Sequence, residues 1–195
     1  MTQLRLLLLA ALAILAISAV EASASAAFTE FTAAEGAKVH YIQKGNQVTE
    51  YRSGKATVGE ICTGVSGSFT VKGKKTELEG SPAWGKSCTV GGLNAEEFNS
   101  CAWDVHIGGS VDLNGTQCRK TEVISTKCKI KWKGAQTGLK SVSYENKEND
   151  LVATVKLAGI SFESATGKAC GFETEAVVGT ASYNGAILIE TTNVK

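Results

Sequence analysis

The chain of 195 residues contains a single proline, a single methionine and only two histidines, His40 and His106. With so little proline there is no proline-rich linker or polyproline segment to separate domains. Two isolated histidines and no Cys-x-x-Cys pair leave no recognisable zinc ligand set, so no metal or other cofactor is expected. Charge of one sign is also missing: the formal net charge is +1. That balance speaks against bulk binding of nucleic acid or of an anionic membrane. Beyond the N-terminus no segment keeps an apolar helical period over three turns, which excludes a helical bundle. There is no Gly-x-Ser-x-Gly elbow for a serine nucleophile.

Two features fill the space left by these absences. The first is the N-terminus. Arg5 begins it, residues 6–17 are wholly apolar, and small residues follow at Ala22-Ser23-Ala24-Ser25-Ala26. This is the pattern of a secretory signal peptide, expected to cover residues 1–26 and to be cut after Ala26. The apolar run is short of the roughly 20 residues a membrane span needs, so no transmembrane segment is expected after cleavage. Residues 27–195 then form one exported domain. The second feature is cysteine. Cys62, Cys88, Cys101, Cys118, Cys128 and Cys170 all lie in the exported part. An even count in an oxidising compartment points to three disulfides. Hairpin geometry suggests Cys88 with Cys101 and Cys118 with Cys128, leaving Cys62 and Cys170 as a long-range clasp.

The clearest element is Lys127-Cys128-Lys129-Ile130-Lys131-Trp132-Lys133, where lysine and apolar residues alternate with period two. One face is wet and the other carries Cys128, Ile130 and Trp132 into a core. Residues 101–107 alternate likewise, placing Cys101, Trp103, Val105 and Ile107 on one side and Asp104 and His106 on the other. Residues 139–145 and 151–157 flank the polar run 146–150 as a hairpin, with Leu151, Ala153, Val155 and Leu157 buried. Asn184-Gly185, between two apolar runs, predicts a second tight hairpin. Abundant Gly, Thr, Ser and Val suit short strands joined by glycine turns. The expectation is an all-β fold: a single-domain antiparallel β-sandwich or flattened barrel of about ten strands, stapled by disulfides.

Candidate chemistry is thin. Asp104 and His106 share a strand face, but the spacing of about 6.6 Å exceeds a direct hydrogen bond. Glu96, Glu97, Asp112 and Glu173 could in principle pair for glycoside hydrolysis, yet carry no positional signature. Parity assigns Trp103 and Trp132 to the core. Trp84, in the Pro/Gly loop at residues 80–85, is the candidate ligand-stacking residue. The run 146–150 has oxygen ligands but lacks the spaced Asp-x-Asp pattern of a calcium loop. Asn114-Gly115-Thr116 matches an N-glycosylation acceptor. The lysine face is read as a solvated or edge-protecting surface, not as a polyanion site.

The sixfold cysteine order, Cys88-Thr89 with Asn99-Ser100-Cys101, the Cys118-to-Cys128 segment, Gly159-Ile160-Ser161-Phe162, Cys170-Gly171 and Gly179-Thr180-Ala181-Ser182-Tyr183 together resemble a group of uncharacterised secreted β-rich bacterial proteins. The resemblance runs from Gly59 to the C-terminus and implies an exported β fold with no assigned activity. The charged stretch between Cys101 and Cys118 departs from the Ser/Thr-rich style of that group. The expected function is therefore a secreted or cell-envelope, non-catalytic binding or structural protein. Its partner would be an extracellular ligand, with carbohydrate the candidate. The alternative is a secreted hydrolase of extracellular polymers.

Overall fold

The computed structural model describes residues 30–31, 33–84, 87–99, 101–147 and 150–190. The expected signal peptide at residues 1–26 lies outside the described residues. Fourteen strands follow in chain order: β1 (Lys38–Ser53), β2 (Ala56–Thr63), β3 (Ser66–Lys72), β4 (Glu77–Gly80), β5 (Ser87–Val90), β6 (Leu93–Asn99) and β7 (Ala102–His106). They continue with β8 (Ser110–Asn114), β9 (Gln117–Val123), β10 (Cys128–Lys133), β11 (Gln136–Lys140), β12 (Val142–Lys147), β13 (Asp150–Ser164) and β14 (Val177–Glu190). Two short 3-10 turns, at Gly73–Lys75 and Gly167–Cys170, are the only helical pieces among the described residues.

Three long strands organise the rest. β1 is hydrogen-bonded to β14 along most of its length, and β14 to β13 along its own. The C-terminal half of β1 pairs with β2, while its N-terminal half pairs with β3. From β13 the ladder runs through β10, β9, β6 and β5 to β2, and β2 returns to β1, closing an antiparallel barrel of eight strands. The other six strands extend the shared framework: β3, β4, β7, β8 and β11 in sequence from β1, and β12 on β13. Gln136 of β11 closes this second part onto β13, its side-chain amide donating to the Ser161 carbonyl and accepting the Ser161 N–H. The Gln136 amide thus substitutes for a missing rung of backbone ladder.

Two expectations about the architecture are corrected. The all-β class and the barrel alternative hold, but the barrel is closed and carries added strands, the sandwich alternative falls, and there are fourteen strands instead of about ten. Among the strands missed are β4, β11 and the pair β5 and β6, the last two joined through Gly91 and Gly92, both at positive φ. Two consecutive positive-φ residues make the tight hairpin turn that matches strand twist. Asn184-Gly185 is not a turn at all, because β14 runs straight through it. Opposite that point β1 bulges between Lys44 and Val48. The bulge folds Gln47 inward to bond the Ala186 carbonyl and the Tyr183 hydroxyl, in the space a side chain at position 185 would need. Glycine here permits a close approach, not a reversal. The hairpin between β12 and β13 is present, with Lys147 opposite Asp150.

All six cysteines form disulfides, but every expected pairing is wrong: the bonds are Cys62–Cys88, Cys101–Cys118 and Cys128–Cys170. Register explains this. Cys62 and Cys88 sit directly opposite on β2 and β5. Cys128 faces Val123 on β9, not Cys118. The intervening five residues span about 17 Å of strand, far beyond disulfide reach. Cys128 instead meets Cys170 on the 3-10 turn Gly167–Cys170. On β10, Cys128, Ile130 and Trp132 are buried as the alternation requires.

Candidate functional site

The barrel interior holds a charged centre. On β2 the inward residues are Val58, Glu60 and Cys62, so one carboxylate takes a core position. Glu97 of β6 and Arg119 of β9 point to the same place. The Arg119 guanidinium donates from Nη2 to Glu60 Oε1 at 2.6 Å and from Nε to Glu97 Oε2 at 2.6 Å. Nη1 donates to Thr49 Oγ1 at 3.1 Å. The Tyr51 hydroxyl donates to Glu60 Oε2 at 2.6 Å and accepts the Trp132 indole N–H at 3.1 Å. Arg119 is 1% exposed and Glu60 0%.

Indoles seal the centre. The guanidinium lies 3.8 Å from the centroid of Trp84 and 4.9 Å from that of Trp132. Trp84 is 8% exposed and also meets Trp103 and Tyr183 edge to face or tilted. A free loop indole at Trp84 is therefore not what the fold contains: its ring is buried against Arg119, Trp103, Trp132 and Tyr183. Trp103 and Trp132 are core residues, as parity required.

Burial dictates the electrostatics. Two carboxyl groups share one guanidinium in a dry interior, so full ionisation would leave an excess negative charge there. Desolvation pushes Glu97 up to about 9, opposed by the Arg119 charge and helped by that of Glu60. Glu97 also interacts with the side chains of Glu60 and Thr121, the first favouring its neutral form and the second its charged form. Burial likewise raises Tyr51 well above its ordinary value, with the Glu60 charge adding to it. The two acids raise Arg119 despite its desolvation.

Chemically this centre is closed. Glu60, Cys62, Cys88 and Glu97 bring four ligand-type atoms within 4.8 Å of one another. The donor set does not suit a metal, because the sulfurs are spent in a disulfide and the carboxylates are taken by Arg119. The carboxyl spacing approaches that of a retaining glycosidase, about 5–5.5 Å. A sugar nonetheless cannot reach side chains that are 0% exposed.

The Asp104–His106 pair fares no better as a triad. Asp104 takes its hydrogen bond from the Asn114 side chain. His106 instead faces Asp112 through Nε2 at 3.2 Å and Glu77 through Nδ1 at 4.0 Å, so both ring nitrogens meet carboxylates rather than a hydroxyl nucleophile. Glu96 and Glu173 are exposed on separate elements. One motif escaped the sequence reasoning: residues 80–87 spell Gly-Ser-Pro-Ala-Trp-Gly-Lys-Ser, the phosphate-loop spacing. That motif needs a helix to follow, whereas here β4 leads to β5. Trp84 inside it is buried, and residues 85 and 86 are outside the described residues.

An open concave surface lies outside the barrel, across β2, β5 and β6 and the turn after β9. This open groove of about 940 Å³ is lined by Ile61, Thr63, Thr89, Leu93, Asn94 and Ile124 among others. Ile61, Leu93 and Ile124 are exposed, the last by 68%. Of the polar run 146–150, Asn146 and Lys147 pair with Leu151 and Asp150 across β12 and β13, and residues 148 and 149 lie outside the described residues. On the lysine face Lys129 bonds Glu122 and Lys131 stands opposite Glu163, which neutralises much of it. No helix of the described residues is long and apolar enough to cross a membrane. No family model, curated protein or solved structure matches the chain.

Proposed function

We propose that this protein is an extracellular, non-catalytic binding module that meets its ligand on the outside of the barrel. The observation that carries the reading is the filled interior. An eight-stranded barrel is just wide enough either to hold a small ligand or to be packed by its own side chains. Here Arg119, Glu60, Tyr51, Trp132 and Trp84 occupy it. Three disulfides favour an oxidising compartment, in keeping with the signal-like N-terminus.

The outer groove is the surface best suited to recognition. Aliphatic side chains at Ile61, Leu93 and Ile124 alternate there with the hydroxyls of Thr63 and Thr89 and the amide of Asn94. Apolar patches with a few convergent polar groups are the usual make-up of a recognition surface. Carbohydrate is the ligand class to test first. A glycan array probed with the wild type and with Leu93→Glu should show binding that the variant lowers at least tenfold while its circular dichroism is unchanged. Binding that Leu93→Glu leaves intact would move the site elsewhere. The hydrolase alternative is tested on a panel of glycans, peptides and esters, where no turnover is expected. Turnover abolished by Asp104→Asn or His106→Ala would replace this reading.

A further inference from the structure

The interior charge cluster has a property that the binding role does not use. Arg119 supplies one positive charge, and the two acids beside it can supply two negative ones. Among the described residues no second cation meets the two acids. The titratable groups facing the cluster are Tyr51 from β1, Glu60 from β2, Glu97 from β6, Arg119 from β9 and Tyr183 from β14. Trp132 from β10 and Trp84 from the β4–β5 loop present neutral indoles. Cys62 and Cys88 are joined and do not titrate. The lysines of β9 and β10 alternate to the outer face, where Lys120 and Lys129 meet Glu122. An unbalanced buried charge is among the most costly arrangements a fold can contain.

We propose that the closed barrel holds one proton at neutral pH, resting on the Glu97 carboxyl beside Glu60 and Arg119, so that the fold is a proton-linked device that tightens as pH falls and loosens as pH rises. The geometry supports this in two ways. Glu97 takes one charge-assisted bond from Arg119 through Oε2, and its carboxyl stands beside that of Glu60, the acceptor a proton on Glu97 would use. Glu60, by contrast, accepts from Arg119, Tyr51 and Thr121.

The direction follows from linkage. A carboxyl raised in the folded state stays protonated there, while the same group in the unfolded chain ionises at its ordinary value. Below that ordinary value the two states bind equally and the contribution is constant. As pH climbs from the ordinary value to the raised one, the unfolded state gains at every step, and stability is lost. The expected consequence is a protein more stable in mild acid than at alkaline pH.

The test is denaturant unfolding of the disulfide-intact wild type and of Glu97→Gln between pH 5.5 and 8.5. Glutamine keeps the shape and the neutrality but has no proton to lose. The unfolding constant of the wild type should rise relative to that of the variant by about tenfold per pH unit, the mark of one linked proton. Parallel profiles would overturn the proposal. If Glu97→Gln fails to fold, the proton is counted directly: refolding of the wild type at pH 8 in a pH-stat should take up about one proton per molecule. No uptake there would also overturn it.

Discussion

Replacing Trp84 by alanine tests whether this indole belongs to the fold or to a ligand. In the structure it is packed among Trp103, Trp132 and Tyr183 and covers the Arg119 guanidinium at 3.8 Å. Truncating a buried tryptophan to alanine costs about 3–5 kcal/mol through lost transfer energy and the cavity left behind. The cation–π contact with a desolvated guanidinium is worth about 2 kcal/mol and partly overlaps with that figure. An overall loss of about 4–5 kcal/mol would lower Tm by roughly 8–20 °C for a domain of this size. Trp84→Phe keeps an aromatic face over the cation and should lose less than half as much. The assay is guanidinium-induced unfolding followed by far-ultraviolet circular dichroism, run without reductant. If Trp84→Ala falls within about 1 kcal/mol of the wild type, Trp84 is not a structural plug and the packing argument for the filled interior fails.

Two further perturbations separate effects that the structure intertwines. Removing each disulfide as a Cys→Ala pair should cost about 3 kcal/mol for Cys101–Cys118 and about 4 kcal/mol for Cys128–Cys170 on chain entropy alone, given sequence separations of 17 and 42. Cys62–Cys88, with a separation of 26, should fall outside that order and cost the most, because Cys62 Sγ also lies 3.2 Å from Arg119 Nη2; calorimetry of the three pairs decides, and an order set by loop length alone would remove the disulfide from the charge cluster. Gly179→Ala should destabilise by about 2–3 kcal/mol through overpacking, since its Cβ would stand 2.2 Å from the Arg52 carbonyl oxygen and must move backbone; a neutral variant in thermal unfolding would show that β1 and β14 are less tightly apposed than described.

How far the sequence reaches depends on whether a signal is local. The strand Cys128–Lys133 is legible because its alternation is complete within six residues and needs no partner to interpret. The same holds for β7 and for the inward face of β13. Closure is different in kind. The period of β1 is broken by Gly45 and the bulge before Val48, yet that interruption lets one strand of sixteen residues pair with β14 along most of its length and hand over from β3 to β2. Bulges of this kind re-aim a strand at a barrel rim. No local pattern distinguishes such a strand from a sandwich edge. The disulfides fail for the same reason, because pairing is a property of register and hairpin proximity alone misassigned all three.

The charge cluster shows where the boundary falls. On β2 the parity Val58-x-Glu60-x-Cys62 sets a carboxylate between two residues of core type, and a reader of the sequence could have marked Glu60 as an inward charge in need of a partner. On β6 the same test gives Ala95-x-Glu97-x-Asn99, where only one of three positions is apolar and the inward face is undecided. On β9 it cannot work at all, because Cys118 and Arg119 are adjacent and both buried, so neither parity is right for the whole strand. What joins the three residues is the order β9-β6-β5-β2, with Glu97 opposite Thr121, Asn99 opposite Arg119 and Cys62 opposite Cys88. Arg119 and Glu60 are 59 positions apart in sequence. The sequence could therefore pose the question of what balances Glu60, while only closure of the barrel supplies the answer, and that answer, one guanidinium for two acids, is what leaves room for a proton.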